Sequence, residues 1–369
     1  MKLTLIAGEP SGDRLGAALM AALKTLNPDT QFHGIGGPLM QAEGLNSLFP
    51  MEELSVMGLA EILPKYRALK ARIAQAAAST LAENPDALIT IDSPDFCLRV
   101  ARIVKSARPT LRTIHYVAPS VWAWRPGRAA KMAAFIDHVL ALLPFEPPLM
   151  RAAGMSCDFV GHPVVAEPLA TRELQDSLLI LALPGSRKGE VARLVPVIGD
   201  TLARIKAVHP DARVALPTVR GVADLVRDLS RNWPITPQII EDPVEKRAAF
   251  ANATVAIAAS GTVSLELAAN ACPMVIAYRM NPLTMWLMQR AALVDTVTLV
   301  NLVSETRAVP EFLGADCNPD TITPALLALM QPGAARDAQI QAMALTMQRL
   351  GKGGEPPAMR AAHSVLSVL

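Results

Sequence analysis

Residues 87–96 read ALITIDSPDF: an apolar run stops at Asp92, a proline follows two places on, and Asp95 adds a second carboxylate. A carboxylate at the mouth of a buried strand suits a general base, which must be fixed in place and partly shielded from water. Asp-Ser-Pro-Asp is also good turn chemistry, in which Asp92 would only cap the next helix. The stretch alone leaves both readings open.

Other stretches carry groups that bind rather than react. LPGSRKGE (183–190) closes an apolar run on Gly185 and offers Ser186, Arg187 and Lys188 before a helical pattern, and AASGTVSLE (258–266) repeats the device with Ser260, Gly261 and Thr262. The first N–H groups of a helix attract anions, and arginine adds a charged fork. Either loop alone reads as ordinary capping; together with Arg187 they point to a diphosphate. Glu266, one turn further on, is placed to reach ribose hydroxyls. AGEPSGDRLGA (7–17) has three glycines but neither GxGxxG nor P-loop spacing. Glu9 and Asp13 would also repel a phosphate there. This loop is either a glycine turn capped by Ser11, or one in which Glu9, Ser11 and Asp13 hold sugar hydroxyls. IHYVAPSVWAWRPGR (114–128) brings Trp122, Trp124 and Arg125 after another apolar run. Such residues stack on a base or sugar, or else fill a groove between domains. His162 reads first as a structural hydrogen-bonding group. No DxD pair stands beside the phosphate-type loops, so the expectation is metal-free chemistry and no cofactor, with leaving-group charge met by Arg187 and helix dipoles.

The elements that must position these residues alternate. Apolar runs at Leu3–Ala7, Phe32–Ile35, Ala87–Ile91, Arg112–Val117 and His138–Leu143 are separated by helical patterns, and the order restarts at Leu178–Leu183. Runs that are nearly all apolar, and do not alternate, mark parallel strands covered on both faces, and βαβα order marks a doubly wound sheet. The expected fold is α/β, with two doubly wound Rossmann-like domains facing a cleft into which the carboxyl ends of both sheets open. We place an N-terminal domain over 1–165, a C-terminal domain over 166–345, and a final helical segment over 346–369 packing back on the first.

Composition narrows the function classes. Of 369 residues, 51% are apolar and mean hydropathy is +0.30. No run approaches the roughly 20 apolar residues of a membrane span. The start, MKLTLIAGEPSGD, turns polar too soon for a signal-peptide core, which predicts a cytoplasmic protein. A net charge of +2 argues against nucleic acid. The four cysteines, without CxxC spacing, read as reduced and buried, and the six scattered histidines form no zinc motif. In 57–73, Leu59, Ile62, Leu63, Leu69 and Ile73 alternate with Lys65, Arg67, Lys70 and Arg72; 283–293 is similar. Such helices either face a core with a solvated basic edge or lie on an anionic membrane surface; we expect 57–73 to contribute to the latter. No signal for an oligomeric state is present.

The motifs AGEPSGDRLGA, MEELSVMGLAEIL, IDSPDF, HYVAPSVWAWR, LPFE, VGHP, LPGSR, ASGTVSLE, PMVIAYRM and PEFL, in this order along almost the whole chain, resemble those of the lipid-A-disaccharide synthase family. Those are inverting glycosyltransferases of the two-Rossmann-domain GT-B fold. The resemblance implies transfer of 2,3-diacylglucosamine from UDP-2,3-diacylglucosamine to 2,3-diacylglucosamine 1-phosphate, giving a β-1,6 disaccharide and UDP. It also implies a peripheral position at the inner face of the Gram-negative inner membrane. By this likeness Asp92 is the catalytic base, Arg187 contacts the UDP phosphates, Ser260, Gly261, Thr262 and Glu266 lie on the nucleotide segment, and Asn301 lies near the nucleotide. Val300 stands where that family's run has proline, and Pro10 where it has a small residue or threonine. The alternatives are another enzyme of this fold, such as a UDP-N-acetylglucosamine epimerase, and a non-catalytic nucleotide-sugar sensor.

Overall fold

Strands that are mostly apolar, without alternation, need cover on both faces, and helices supply it. The computed structural model describes residues 1–54, 59–173, 178–281 and 290–369, with side chains throughout except at 59–66. Contacts divide the chain into two compact units: Met1–Pro163 with Gly353–Leu369, and Val164–Lys352.

Among the described residues the first unit holds strands β1 (Lys2–Ala7), β2 (Gln31–Ile35), β3 (Asn46–Ser47), β4 (Ala87–Ile91), β5 (Arg112–Tyr116), β6 (His138–Ala141) and β7 (Ser156–Phe159). They form one parallel sheet in the order β3-β2-β1-β4-β5-β6-β7. The order reverses between β1 and β4, whose last residues, Ala7 and Ile91, lie in register. Leu3, Leu5, Leu88 and Ile89 are wholly buried, each contributing about 1.5–3 kcal/mol of hydrophobic stabilisation.

The second unit repeats the plan with β8 (Leu179–Leu183), β9 (Arg213–Pro217), β10 (Gln238–Ile240), β11 (Val255–Ala258), β12 (Met274–Tyr278) and β13 (Glu311–Leu313), ordered β10-β9-β8-β11-β12-β13. Its reversal lies between β8 and β11, where Leu183 pairs with Ala258. Such reversals open a crevice at the carboxyl ends of a parallel sheet, the usual ligand position of doubly wound folds.

The chain enters the second unit at 163/164 and leaves it at 352/353, against expected divisions at 165/166 and 345/346. Helix Ala334–Arg349 stays with the second unit because buried Gln339 bonds both the N–H and the C=O of Met274, each at 2.9 Å. Helix Pro357–Ser367 joins the first unit: its Ala361, Ala362 and Val365 share one apolar cluster with Leu15, Leu19 and Leu23 of helix Pro10–Leu26. A buried histidine pins it, since His138 Nε2 lies 2.8 Å from Ser364 Oγ and Nδ1 lies 2.7 Å from Ser156 Oγ.

The expected lipid-facing stretch needs correction where it is described. Within helix Leu59–Glu83, Ile73 is buried in the first unit's core and Leu69 packs against that core. Arg72 is held by Glu53 at 2.8 and 2.9 Å and lies over the Phe49 ring. These residues face protein because the helix must cover the sheet. The side chains of Leu59, Ile62, Leu63 and Lys65, and residues 283–289 of the second stretch, lie outside the described residues. Among described residues no helix is long and apolar enough to cross a membrane. All four cysteines are buried free thiols.

Candidate active site

Asp92 stands one residue past β4, at the first unit's strand reversal. Its N–H extends the sheet by donating to Tyr116 O at 2.9 Å. The following helix, Pro94–Ala107, takes Ser93 as its N-cap, so Asp92 lies outside the cap. Asp92 and Ser93 both have left-handed backbone, at φ +50° and +40°. Each costs a non-glycine residue about 1–3 kcal/mol, strain that concentrates at functional sites. Val117, just past β5, adds a third at φ +82°, an outlier for a β-branched side chain. Burial pushes the Asp92 carboxyl above the usual carboxylate range, against the pull of the Ser93 N–H it accepts. A carboxylate so raised is a stronger base than one in water.

The β1 loop meets Asp92 through Ser93, whose hydroxyl donates to Glu9 Oε1 at 3.4 Å. Ser11 is exposed on the first turn of helix Pro10–Leu26, where Pro10 suits a first helical position. Asp13 is a correction. It is only 3% exposed, and its carboxylate accepts the N–H groups of Gly37 (2.8 Å), Leu39 (3.0 Å) and Met40 (3.0 Å). It is spent on the start of helix Pro38–Ala42, so it positions the loop at residues 34–37 after β2 and does not hold sugar hydroxyls. On the β5 loop, half-buried Trp122 donates its indole N–H to Glu146 Oε1 at 3.2 Å and meets Phe145 edge-on. Arg125 is exposed and lies 4.1 Å over the Trp124 ring. His162 is buried, and burial lowers its imidazole to about 4, which keeps it neutral.

In the second unit the two phosphate-type loops start side by side, because β8 and β11 are neighbours and Ala259 N–H donates to Leu183 O at 2.8 Å. Gly185 has φ +105°, and a Cβ there would fall 2.6 Å from Glu190 Oε2. That close approach lets Glu190 hold Arg187 Nη1 at 2.8 Å. Arg187 is still 64% exposed, so its guanidinium keeps donors for a ligand. Ser186 is exposed beside it, ahead of helix Lys188–Val208. Opposite, Gly261 has φ +153°, Ser260 Oγ donates to Val297 O at 3.3 Å, and Thr262 immediately precedes helix Val263–Ala269. Glu266 pairs with Lys246 at 2.6 Å on a cavity of about 40 Å³ next to Glu167 and Leu169. Asn301 also departs from its expected place near a nucleotide. It is 1% exposed, its Nδ2 donates to Val309 O at 2.8 Å and its Oδ1 accepts Val309 N–H at 3.0 Å. It therefore braces a turn, and its amide has no face to offer a nucleotide.

The residues that sequence reading passed over are Glu146, Glu190, Tyr278 and Glu311. Glu311 accepts Thr298 N–H at 2.8 Å and Val297 N–H at 3.1 Å, buttressing the loop segment that receives Ser260. Tyr278, ending β12, has its hydroxyl raised by burial and by Glu190, against the pull of Arg187 and Arg193. The LPFE and PEFL motifs contain two of the four, yet nothing in either separates a ligand-facing acid from a buried brace.

Comparison with known proteins supplies the frame for these features. A family model described as lipid-A-disaccharide synthetase matches residues 3–361. The lipid-A-disaccharide synthase of Ruegeria pomeroyi is 59% identical, with 100% of this chain and 96% of that protein aligned. The lipid-A-disaccharide synthase of Rhodospirillum centenum is 46% identical over 99% and 94%. Among solved structures, UDP-GlcNAc 2-epimerase from Neisseria meningitidis bound to UDP-GlcNAc superposes with TM-score 0.67 at 12% identity, covering 100% of this chain and 99% of that one. The glycotransferase of kitacinnamycin gives 0.63 at 15%, over 100% and 99%. At such identities the likeness is one of fold, the pair of Rossmann-like sheets shared by GT-B glycosyltransferases and epimerases.

Proposed function

The chain belongs to the lipid-A-disaccharide synthase family, and we propose that it transfers 2,3-diacylglucosamine from its UDP derivative to 2,3-diacylglucosamine 1-phosphate, releasing UDP. The observation that carries this reading is the carboxylate of Asp92, strained, partly buried and made more basic at the carboxyl-end crevice of the first sheet. The first unit binds the acceptor and the second binds UDP. Asp92 takes the proton of the acceptor 6-hydroxyl as that oxygen bonds to the donor's anomeric carbon. The bond from that carbon to the diphosphate breaks on the opposite face, the pair of electrons leaves with UDP, and the configuration inverts. Arg187 and the N–H groups at Ser260–Thr262 meet the charge that develops on the diphosphate. Their donor set is serine, threonine, glycine and arginine without paired carboxylates, so the reaction is metal-free and EDTA leaves its rate unchanged. Ser11, Glu9, Trp122 and Arg125 contribute to acceptor binding, and Gly185, Ser186 and Glu266 to the nucleotide side. The acylated substrates place the enzyme peripherally at the inner face of the inner membrane, against anionic lipid.

Two variants test the assignment. Asp92→Asn folds and binds UDP but turns over roughly 10²–10⁴-fold more slowly; near-normal turnover removes Asp92 as the base. Arg187→Ala loses UDP affinity in calorimetry, and an unchanged affinity moves the diphosphate elsewhere.

A further inference from the structure

Glu146 is an acid only 3% exposed that no step above uses. It opens helix Glu146–Ala152, just after the β6 loop. Its Oε2 accepts Leu143 N–H at 2.9 Å, a local bond that ties the helix start. Its Oε1 reaches a different loop and accepts the Trp122 indole N–H at 3.2 Å. Burying a carboxylate is expensive unless its oxygens are satisfied, and a serine or asparagine near the helix start would cap it without the charge. The second contact is what demands an acid of this length.

Trp122 belongs to segment 117–126, which leaves β5 directly beside Asp92, since Tyr116 O receives the Asp92 N–H. Its internal backbone bonds form one local turn, with Val121 N–H on Pro119 O and the N–H groups of Ala123 and Trp124 on Ser120 O, and its backbone is left-handed at Val117 and again at Arg125. The indole sits edge-on to Phe145, ring centres 5.3 Å apart, so Glu146 and its neighbour grip one side chain from two directions.

We propose that Glu146 is a positioning residue for acceptor binding: by holding the Trp122 indole it fixes segment 117–126 as the wall against which the acylated sugar is oriented beside Asp92. This rests on the reading of the first unit as the acceptor unit. A glutamine at 146 has one carbonyl oxygen. The closer Leu143 N–H keeps it, and the new NH₂ then faces the indole N–H, donor to donor.

The test is steady-state kinetics with the acceptor varied, alongside calorimetry of UDP. Glu146→Gln raises the acceptor KM by about tenfold and changes kcat by less than about threefold, with UDP affinity unchanged. Trp122→Phe, which keeps an aromatic ring and removes the donor, gives the same rise, and the double variant is no worse than either single one. Multiplying effects in the double variant, or a loss of UDP affinity in parallel with KM, overturn the proposal in favour of general destabilisation. A raised KM in Trp122→Ala with a normal KM in Glu146→Gln sinks the positioning role alone. A normal acceptor KM in Trp122→Ala sinks the acceptor reading beneath it.

Discussion

Replacing Asp13 separates bracing from substrate binding. Its Oδ1 serves two buried N–H groups, Gly37 and Met40, and its Oδ2 serves one part-buried N–H, Leu39. Asp13→Ala strands all three. A buried unpaired donor costs about 1–3 kcal/mol and water reaches only the third, so the expected loss is about 3–5 kcal/mol, a large part of a stability of roughly 5–15 kcal/mol. Asp13→Asn behaves differently. With its carbonyl in the Oδ1 position it keeps both buried bonds and turns its NH₂ only against Leu39, where solvent compensates, for a loss of about 1–2 kcal/mol. Urea denaturation followed by circular dichroism reads the two losses, and hydrogen exchange of peptides covering residues 31–45 locates them. The folded Asn variant keeps its acceptor KM. Wild-type stability in Asp13→Ala, or a stable Asp13→Asn whose acceptor KM rises tenfold, would show that the carboxylate meets substrate, and the bracing argument fails.

Glu146 gives a prediction in pH. Burial raises its carboxyl from 4.5 to about 7, against the bonds from Leu143 and Trp122. The folded state thus holds the proton more tightly than the unfolded one: this stabilisation is complete below about pH 4.5 and is lost as pH rises through about 7, amounting to about 3 kcal/mol at most. Glu146→Gln lacks the titration, so wild type should lose stability relative to it between pH 4.5 and 8 in urea titrations; a constant difference contradicts the burial argument. At Gly185 a methyl group would strike Glu190 at 2.6 Å and displace the partner of Arg187. Gly185→Ala is therefore expected to weaken UDP binding by about tenfold in calorimetry, the backbone adding about 1–2 kcal/mol of strain; unchanged affinity would detach Glu190 from the diphosphate site.

Much of the frame was legible. Strands that are mostly apolar and do not alternate announced parallel sheets, and residues 89–92 and 183–187 announced where two of them end. What sequence cannot convey is which polar group a carboxylate finally meets. Asp13 and Asp92 each follow a strand in a polar loop, but one folds onto three N–H groups of a distant turn while the other stays at the crevice. Asn301 sits in a motif that invites a ligand, and only the packing of Val309 against it reveals a brace. The short elements escaped for a different reason. Helix Glu146–Ala152 begins EPP and reads as a turn, and β3, two residues long, has no periodicity to detect.

The course of the chain has a consequence for biosynthesis. Val164–Lys352 is an insertion within the first unit, whose last helix, Pro357–Ser367, is translated after all of it. At roughly 5–20 residues per second, the greasy flank of helix Pro10–Leu26 waits some tens of seconds on the ribosome for Ala361, Ala362 and Val365 to seal it. The nascent chain carries an unfinished domain through that interval, which makes it a client for chaperones that shield apolar surface.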